Sequence, residues 1–348
     1  MENQFLVDSE YLSPEALAVK HRLETDPSSR KDHMEYLPGM EIIESDVCGK
    51  VMTQMKQYEA DRYTAKDVRA ALEHETCTIE DFKALISPAA EPFLEQMAER
   101  ARRETSKHFG NTVYLFTPLY IANYCENYCV YCGFNCYNHI NRMKLTMEQI
   151  EKEMKVIADS GMEEILILTG ESRGQSSVEY IGEACKLARK YFRMVGLEIY
   201  PVNTDEYRYL HECGADYVTV FQETYDNVKY ETLHLMGHKR VFPYRFEAQE
   251  RALMGGMSDF PHCLDFPIST KMHWLLHCTF IICSASIRMQ SIPCPVRVCA
   301  RSSTTTRSIR LTCTKSSCAR FCVRTVFSCR MSVSPFLPAS RNISVTAS

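Results

Sequence analysis

The chain has 348 residues, with 40 basic and 44 acidic side chains and a formal net charge of −4. That length supports a sizeable core in one large domain or two ordinary ones. No run of 18 apolar residues offers a membrane-spanning helix, and the N-terminal MENQFLVDSEYL is acidic and lacks an apolar signal region, so a cytoplasmic protein is expected. In such a protein the 17 cysteines point to metal binding before disulfides.

Residues 1–110 read as mainly helical. TAKDVRAALEHE opens on a candidate cap at Thr64, and TIEDFKALI opens on Thr78 with Asp81 three residues on. AEPFLEQMAERARRETSKHFG is a long amphipathic helix that stops near Gly110. The expectation is a helical N-terminal extension.

From 111 to 257 the pattern alternates. Strands are expected in TVYLFTPLYI, EILILTG, GLEIYPVN and DYVTVFQET. The segments TMEQIEKEMKVIADSGM, SVEYIGEACKLARKYF, DEYRYLHECGA and PYRFEAQERALMGG read as helices. Four such β–α units predict a parallel sheet or barrel. In a barrel the active site lies at the C-terminal ends of the strands, where CENYCVYC, TGES, PVNTDE and QETY all fall.

YCENYCVYCGF places Cys125, Cys129 and Cys132 on one loop with the spacing C-x3-C-x2-C, and Cys136 follows. Structural zinc prefers four ligands in well-separated pairs. A [4Fe–4S] cluster is held by cysteines, and three of them leave one iron open for a substrate or cofactor. The spacing favours the cluster over zinc or inert thiols, with Cys136 a bystander.

C-x3-C-x2-C after the first strand of a barrel, with the aromatic Tyr131 before the last cysteine, resembles the radical S-adenosylmethionine (SAM) superfamily. The resemblance implies that the open iron chelates the amino and carboxylate groups of SAM. It also implies one-electron cleavage of SAM to methionine and a 5′-deoxyadenosyl radical, with Tyr131 beside the adenine. Gly170 and Glu171 in TGES then resemble the superfamily's glycine–glutamate motif, with Glu171 taking the SAM ammonium; an ordinary strand-to-helix turn is the alternative. Gln222 or Glu223 suits the ribose hydroxyls, and Arg245 a carboxylate, a surface salt bridge being its alternative. Tyr120 and His234 are substrate-side candidates, while Asn203 and His238 are weaker ones.

FLEQMAERARRETSKHFGNTV, TPLYIANYCENYCVYCGF, LILTGES and VFQETYDNVKYETLH together resemble the tyrosine lyases of that superfamily, and the 2-iminoacetate synthases of thiamine-thiazole biosynthesis in particular. This implies hydrogen abstraction from L-tyrosine and Cα–Cβ scission to p-cresol and 2-iminoacetate (dehydroglycine). The implied partners are a thiazole synthase that receives the product and a reductant such as flavodoxin or ferredoxin. Neither nucleic acid nor a membrane is an expected partner. The tyrosine lyases that mature [FeFe]-hydrogenase are the alternative, and CGFNCYN in place of an arginine-rich run after the cluster leans towards the thiazole branch. A non-catalytic zinc-binding protein is the alternative of another class.

Beyond Met257 the composition breaks. All 13 glycines lie at or before Gly256, while residues 258–348 hold 11 basic side chains against 2 acidic ones and 9 of the 17 cysteines. RSSTTTRSIRLTCTKSSCARFC suggests a basic arm or metal module, but it has no C-x2-C pair and no periodicity. A frame shifted by two nucleotides near Met257 admits a glycine-bearing strand, an amphipathic helix, another strand and a Pro-Arg-x-Arg-Pro that resembles the family's substrate-side motif. The expectation is therefore a radical-SAM-type (β/α) barrel at 111–257 whose C-terminal part is lost to a frameshift, leaving an aberrant tail at 258–348. Such a chain is expected to be poorly soluble and to lack tyrosine lyase activity.

Overall fold

The computed structural model describes residues 11–110 and 115–258. The expectations for residues 259–348 lie outside the described residues. Helix α1 (Pro14–Thr25) starts where the Ser13 hydroxyl accepts from Ala16 N and Pro14 occupies the first turn. α2 (Val47–Lys56), α3 (Ala65–Glu73), α4 (Ile79–Ile86) and α5 (Leu94–Phe109) follow. Both expected caps are full capping boxes, Thr64 with Asp67 and Thr78 with Asp81. α3, α4 and α5 close a small core of their own around Val68, Leu85 and Met97.

Residues 30–46 depart from the helical expectation. They form an irregular strap whose polar groups are satisfied far along the chain. Phe242 N donates to the His33 carbonyl (2.8 Å), the Tyr36 hydroxyl to Glu247 (2.7 Å) and the Ser45 hydroxyl to Glu250 (2.7 Å). Asn203, a weak site candidate from the sequence, belongs to this fastening. Its side chain donates to Gly39 O (2.9 Å) and accepts from Glu41 N (3.0 Å) and the Tyr244 hydroxyl (2.8 Å).

The second part runs β1 (Thr117–Ala122), β2 (Tyr128–Cys129), α6 (Met147–Asp159), β3 (Glu164–Thr169), α7 (Val178–Ala188), β4 (Met194–Glu198), α8 (Thr204–Glu212) and β5 (Tyr217–Val218). It continues through α9 (Asn227–Leu233), β6 (His234–Met236), α10 (Phe242–Phe246) and α11 (Ala248–Met254). β1, β3, β4 and β5 make one parallel sheet in that order. Thr117 stands opposite Ile165, Glu164 opposite Met194, and Gly196 opposite Tyr217. Each step crosses through one helix, α6, α7 or α8. A doubly wound sheet reverses its order at a switch point. This one advances in a single direction, which is the order of a (β/α) barrel wall.

Alternation along the strands separates two faces. On the outer face Ile121, Ile165, Ile167, Val195 and Leu197 are fully buried against Ile150, Met154, Ile181 and Leu210 of the helices. Each such side chain contributes about 1.5–3 kcal/mol by leaving water, so this face holds the fold together. The inner face is mixed. Leu166, Leu168, Met194 and Tyr217 cluster there, sharing it with Tyr120 and Glu198 near the carboxyl ends of β1 and β4.

Candidate functional site

The three spaced cysteines lie on the turn that leaves β1. That turn is pinned by β2, which pairs antiparallel with β6 so that Cys129 faces His234 and Tyr128 faces Met236. Val130 N donates to Leu233 O (3.0 Å), fixing the loop from the far side. Arg142 staples it from within: its guanidinium donates to the carbonyls of Asn123 (2.8 Å), Phe134 (2.9 Å) and Asn135 (2.8 Å). A planar guanidinium with several donors suits carbonyls arranged in an arc.

Gly170 ends β3 against this loop. A Cβ there would stand 2.2 Å from the Tyr124 carbonyl oxygen and 2.8 Å from its carbon. Gly170, expected from the sequence as part of a glycine–glutamate motif, lies against the backbone of the cysteine loop. Gly170→Ala is expected to push the loop off β3 and to lower iron incorporation at least tenfold with little change in far-UV circular dichroism. Iron analysis after reconstitution checks it.

Glu171 is the meeting point. One carboxylate oxygen accepts from Arg245 Nη1 (2.9 Å), the other from Asn127 Nδ2 (2.9 Å), and Lys239 Nζ stands 4.0 Å away. Burial pushes the Glu171 carboxyl up, but the two cations and the hydrogen bonds outweigh it and hold the group below its ordinary 4.5. Arg245, buried and also donating to Phe221 O (2.6 Å), thus meets a carboxylate, and that carboxylate is the protein's own. Asn127, 1% exposed, joins the two halves of the site: it accepts from Lys239 N (2.9 Å) and reaches the Cys125 sulfur (3.6 Å).

Of the pair after β5, Glu223 is exposed and binds Lys239 Nζ (2.8 Å) from a left-handed backbone at φ 67, rare for a residue with a side chain. Gln222 turns inward, donating to Phe242 O (3.4 Å), and its carbonyl oxygen is buried without a partner among the described residues. Tyr131 is 44% exposed, with its hydroxyl 2.8 Å from His234 Nε2. His234 Nδ1 lies 2.9 Å from the Tyr230 carbonyl, which only accepts, so Nδ1 carries the proton and Nε2 receives the Tyr131 hydroxyl. Burial and Lys239 push this histidine down to about 2, so it stays neutral. His234 is fully buried behind Tyr131 and does not reach the rim, whereas Tyr120 remains 44% exposed on the inner face, edge-on to Phe134 at 5.6 Å. His238 is exposed on a turn.

The donor set suits an iron–sulfur cluster. Cys125, Cys129 and Cys132 lie within electrostatic reach of one another. Amide N–H groups of Asn127 and Phe134 point at the Cys125 and Cys132 sulfurs (3.6 and 3.4 Å), the kind of contact that tunes cluster thiolates. Burial pushes the Cys125 and Cys129 thiols up, so their ionisation must come with the metal's charge. Among the described residues no three His, Cys, Asp or Glu side chains converge on a point that would hold one metal ion.

Residues 119–268 match the family model of the radical SAM superfamily. Over that segment the chain is similar to this superfamily. That superfamily uses a [4Fe–4S] cluster and SAM. The chain is 40% identical over 194 residues to the 2-iminoacetate synthase of Escherichia coli K12, covering 56% of this chain and 52% of that protein. It is 36% identical over 218 residues to the 2-iminoacetate synthase of Salmonella typhimurium LT2, covering 63% and 57%. The chain thus spans about half the length of the curated relatives it matches. Among solved structures, HydG, a maturase of the [FeFe]-hydrogenase, superposes with a TM-score of 0.58 at 26% identity, over 68% of this chain and 55% of HydG.

Asn127, Arg142, Lys239 and Glu198 were not singled out from the sequence, although each shapes the site at the carboxyl ends of the strands. Asn127 lies inside the cysteine motif, and Arg142 follows it closely in sequence. Lys239 acts across more than a hundred residues, and Glu198 looks like an ordinary strand-end carboxylate until its face is known.

Proposed function

We propose that this chain carries the cofactor-binding half of a tyrosine lyase that cleaves the Cα–Cβ bond of L-tyrosine to p-cresol and 2-iminoacetate, with SAM converted to methionine and 5′-deoxyadenosine. The observation that supports it most is the junction of the cysteine loop with the β3 terminus: Glu171 shares Asn127 with Cys125, at the carboxyl end of a parallel barrel wall. When bound, the cluster and SAM supply one electron and a radical able to take hydrogen from the substrate. The protein's part is to hold and orient. Cys125, Cys129 and Cys132 would ligate iron, with Glu171 on the SAM ammonium, Glu223 on the ribose and Tyr131, fixed by His234, beside the adenine. The thiazole branch is favoured over hydrogenase maturation by the 40% identity to 2-iminoacetate synthase. A thiazole synthase would be the recipient of the labile imine, and flavodoxin or ferredoxin the electron source.

The test has two arms. The chain, reconstituted without oxygen and given dithionite and SAM, is expected to release 5′-deoxyadenosine but no p-cresol. A version re-read in the shifted frame after Met257 is expected to yield p-cresol from tyrosine. Absence of 5′-deoxyadenosine from both defeats the radical reading, and p-cresol from the original chain defeats the requirement for a restored barrel.

A further inference from the structure

Two carboxylates share the inner face of the sheet, and they are treated differently. Glu164, at the amino end of β3, accepts from the Tyr217 hydroxyl (2.8 Å). Tyr217 lies flat over Gly196, where a Cβ would come within 2.1 Å of the ring, so the glycine makes room for the tyrosine that holds Glu164. Glu198 is two positions beyond Gly196 on the same face, opposite Leu168 and at the mouth end of β4. It is half-buried, and among the described residues it accepts no hydrogen bond and joins no ion pair. The charges that face it are Lys239, Glu223 and Arg245, and both cations are already engaged, Lys239 by Glu223 and Arg245 by Glu171. The mouth therefore holds Glu171, Glu198 and Glu223 against Lys239 and Arg245, one cation short of balance, and Glu198 is the member without a partner. A half-buried carboxylate is costly unless something neutralises it. Burial pushes its carboxyl above the ordinary 4.5. Tyr120, half-exposed on the same face and within electrostatic reach of Glu198, offers an aromatic wall beside it.

We infer that Glu198 is the receptor for the primary ammonium group of an aromatic amine substrate, whose ring packs against Tyr120. This deepens the tyrosine reading and rests on it: the residue sets which end of the amino acid the wall at β4 holds, and leaves the substrate carboxylate to be met elsewhere. A molecule with the ammonium but no carboxylate should therefore still bind.

Tyramine and 4-ethylphenol differ only in the ammonium. With the full chain reconstituted anaerobically, ligand-observed NMR titration is expected to show tyramine binding at least tenfold more tightly than 4-ethylphenol. In Glu198→Gln, which keeps shape and loses charge, the preference should vanish while 4-ethylphenol is unchanged. 3-(4-Hydroxyphenyl)propionate, which lacks the ammonium, should bind both proteins equally. The inference is overturned if Glu198→Gln retains the tyramine preference, or if the unaltered chain shows none. Release of 5′-deoxyadenosine in the same samples separates the two failures: its presence without a tyramine preference sinks the role of Glu198 alone, and its absence sinks the radical reading beneath it.

Discussion

Arg245→Met is expected to destabilise the chain by about 3–5 kcal/mol at neutral pH, the cost of leaving one half of a buried ion pair behind. Arg245 is 5% exposed and holds Glu171 at 2.9 Å while donating to Phe221 O at 2.6 Å. Methionine fills much of the volume but restores neither contact. Lys239, at 4.0 Å and already bound to Glu223, is a weaker substitute. The pH dependence identifies the cause. Burial drives the Glu171 carboxyl up; Arg245 and Lys239 bring it below 4.5 in the unaltered protein. Its stabilising contribution is therefore present above the unfolded value of about 4.3 and is lost as pH falls through the lower folded value. Without Arg245 burial prevails and the group prefers its proton. The deficit of Arg245→Met should be largest at pH 7 and shrink towards pH 4. Urea unfolding followed by far-UV circular dichroism at both values measures it, and a deficit independent of pH would assign the loss to packing instead.

The parallel sheet was legible because its signals are local. Outer-face residues such as Ile165, Ile167, Val195 and Leu197 make short apolar runs between amphipathic helices, the first of which announces itself by its cap at Thr146. The cysteine loop was legible for the same reason, since its three sulfurs sit within eight residues. What holds that loop was not. β2 and β6 are two and three residues long, too short to show any periodicity, and their pairing joins Cys129 to His234 across a gap that no local pattern bridges. The histidine therefore read as a possible substrate contact, whereas it stands behind Tyr131. Residues 30–46 carry no repeat because their partners, Asn203, Glu247 and Glu250, are supplied by a distant part of the chain.

Cys125→Ala, Cys129→Ala and Cys132→Ala should each reduce iron and acid-labile sulfide after anaerobic reconstitution to near background, while Cys136→Ala retains both. The four thiols are not equivalent in this fold. Cys129 sits in β2, 3% exposed, where pairing with β6 fixes its position. Cys125 and Cys132 carry N–H donors from Asn127 and Phe134 on their sulfurs. Cys136 spends its backbone N–H on Asn127 O (3.0 Å) and packs its side chain with Tyr128, Tyr137 and Leu235 against Leu23 of α1, where burial pushes its thiol up to about 11. Drawing Cys136 into a metal site would pull it out of that cluster, so its loss should cost packing and leave the metal in place. The same four variants separate a cluster from zinc. A tetrahedral zinc site needs a fourth protein ligand, so Cys136→Ala would then empty it and the metal recovered from the unaltered chain would be one colourless ion. Three essential cysteines with a dispensable fourth leave one iron open, and that open iron is what SAM requires.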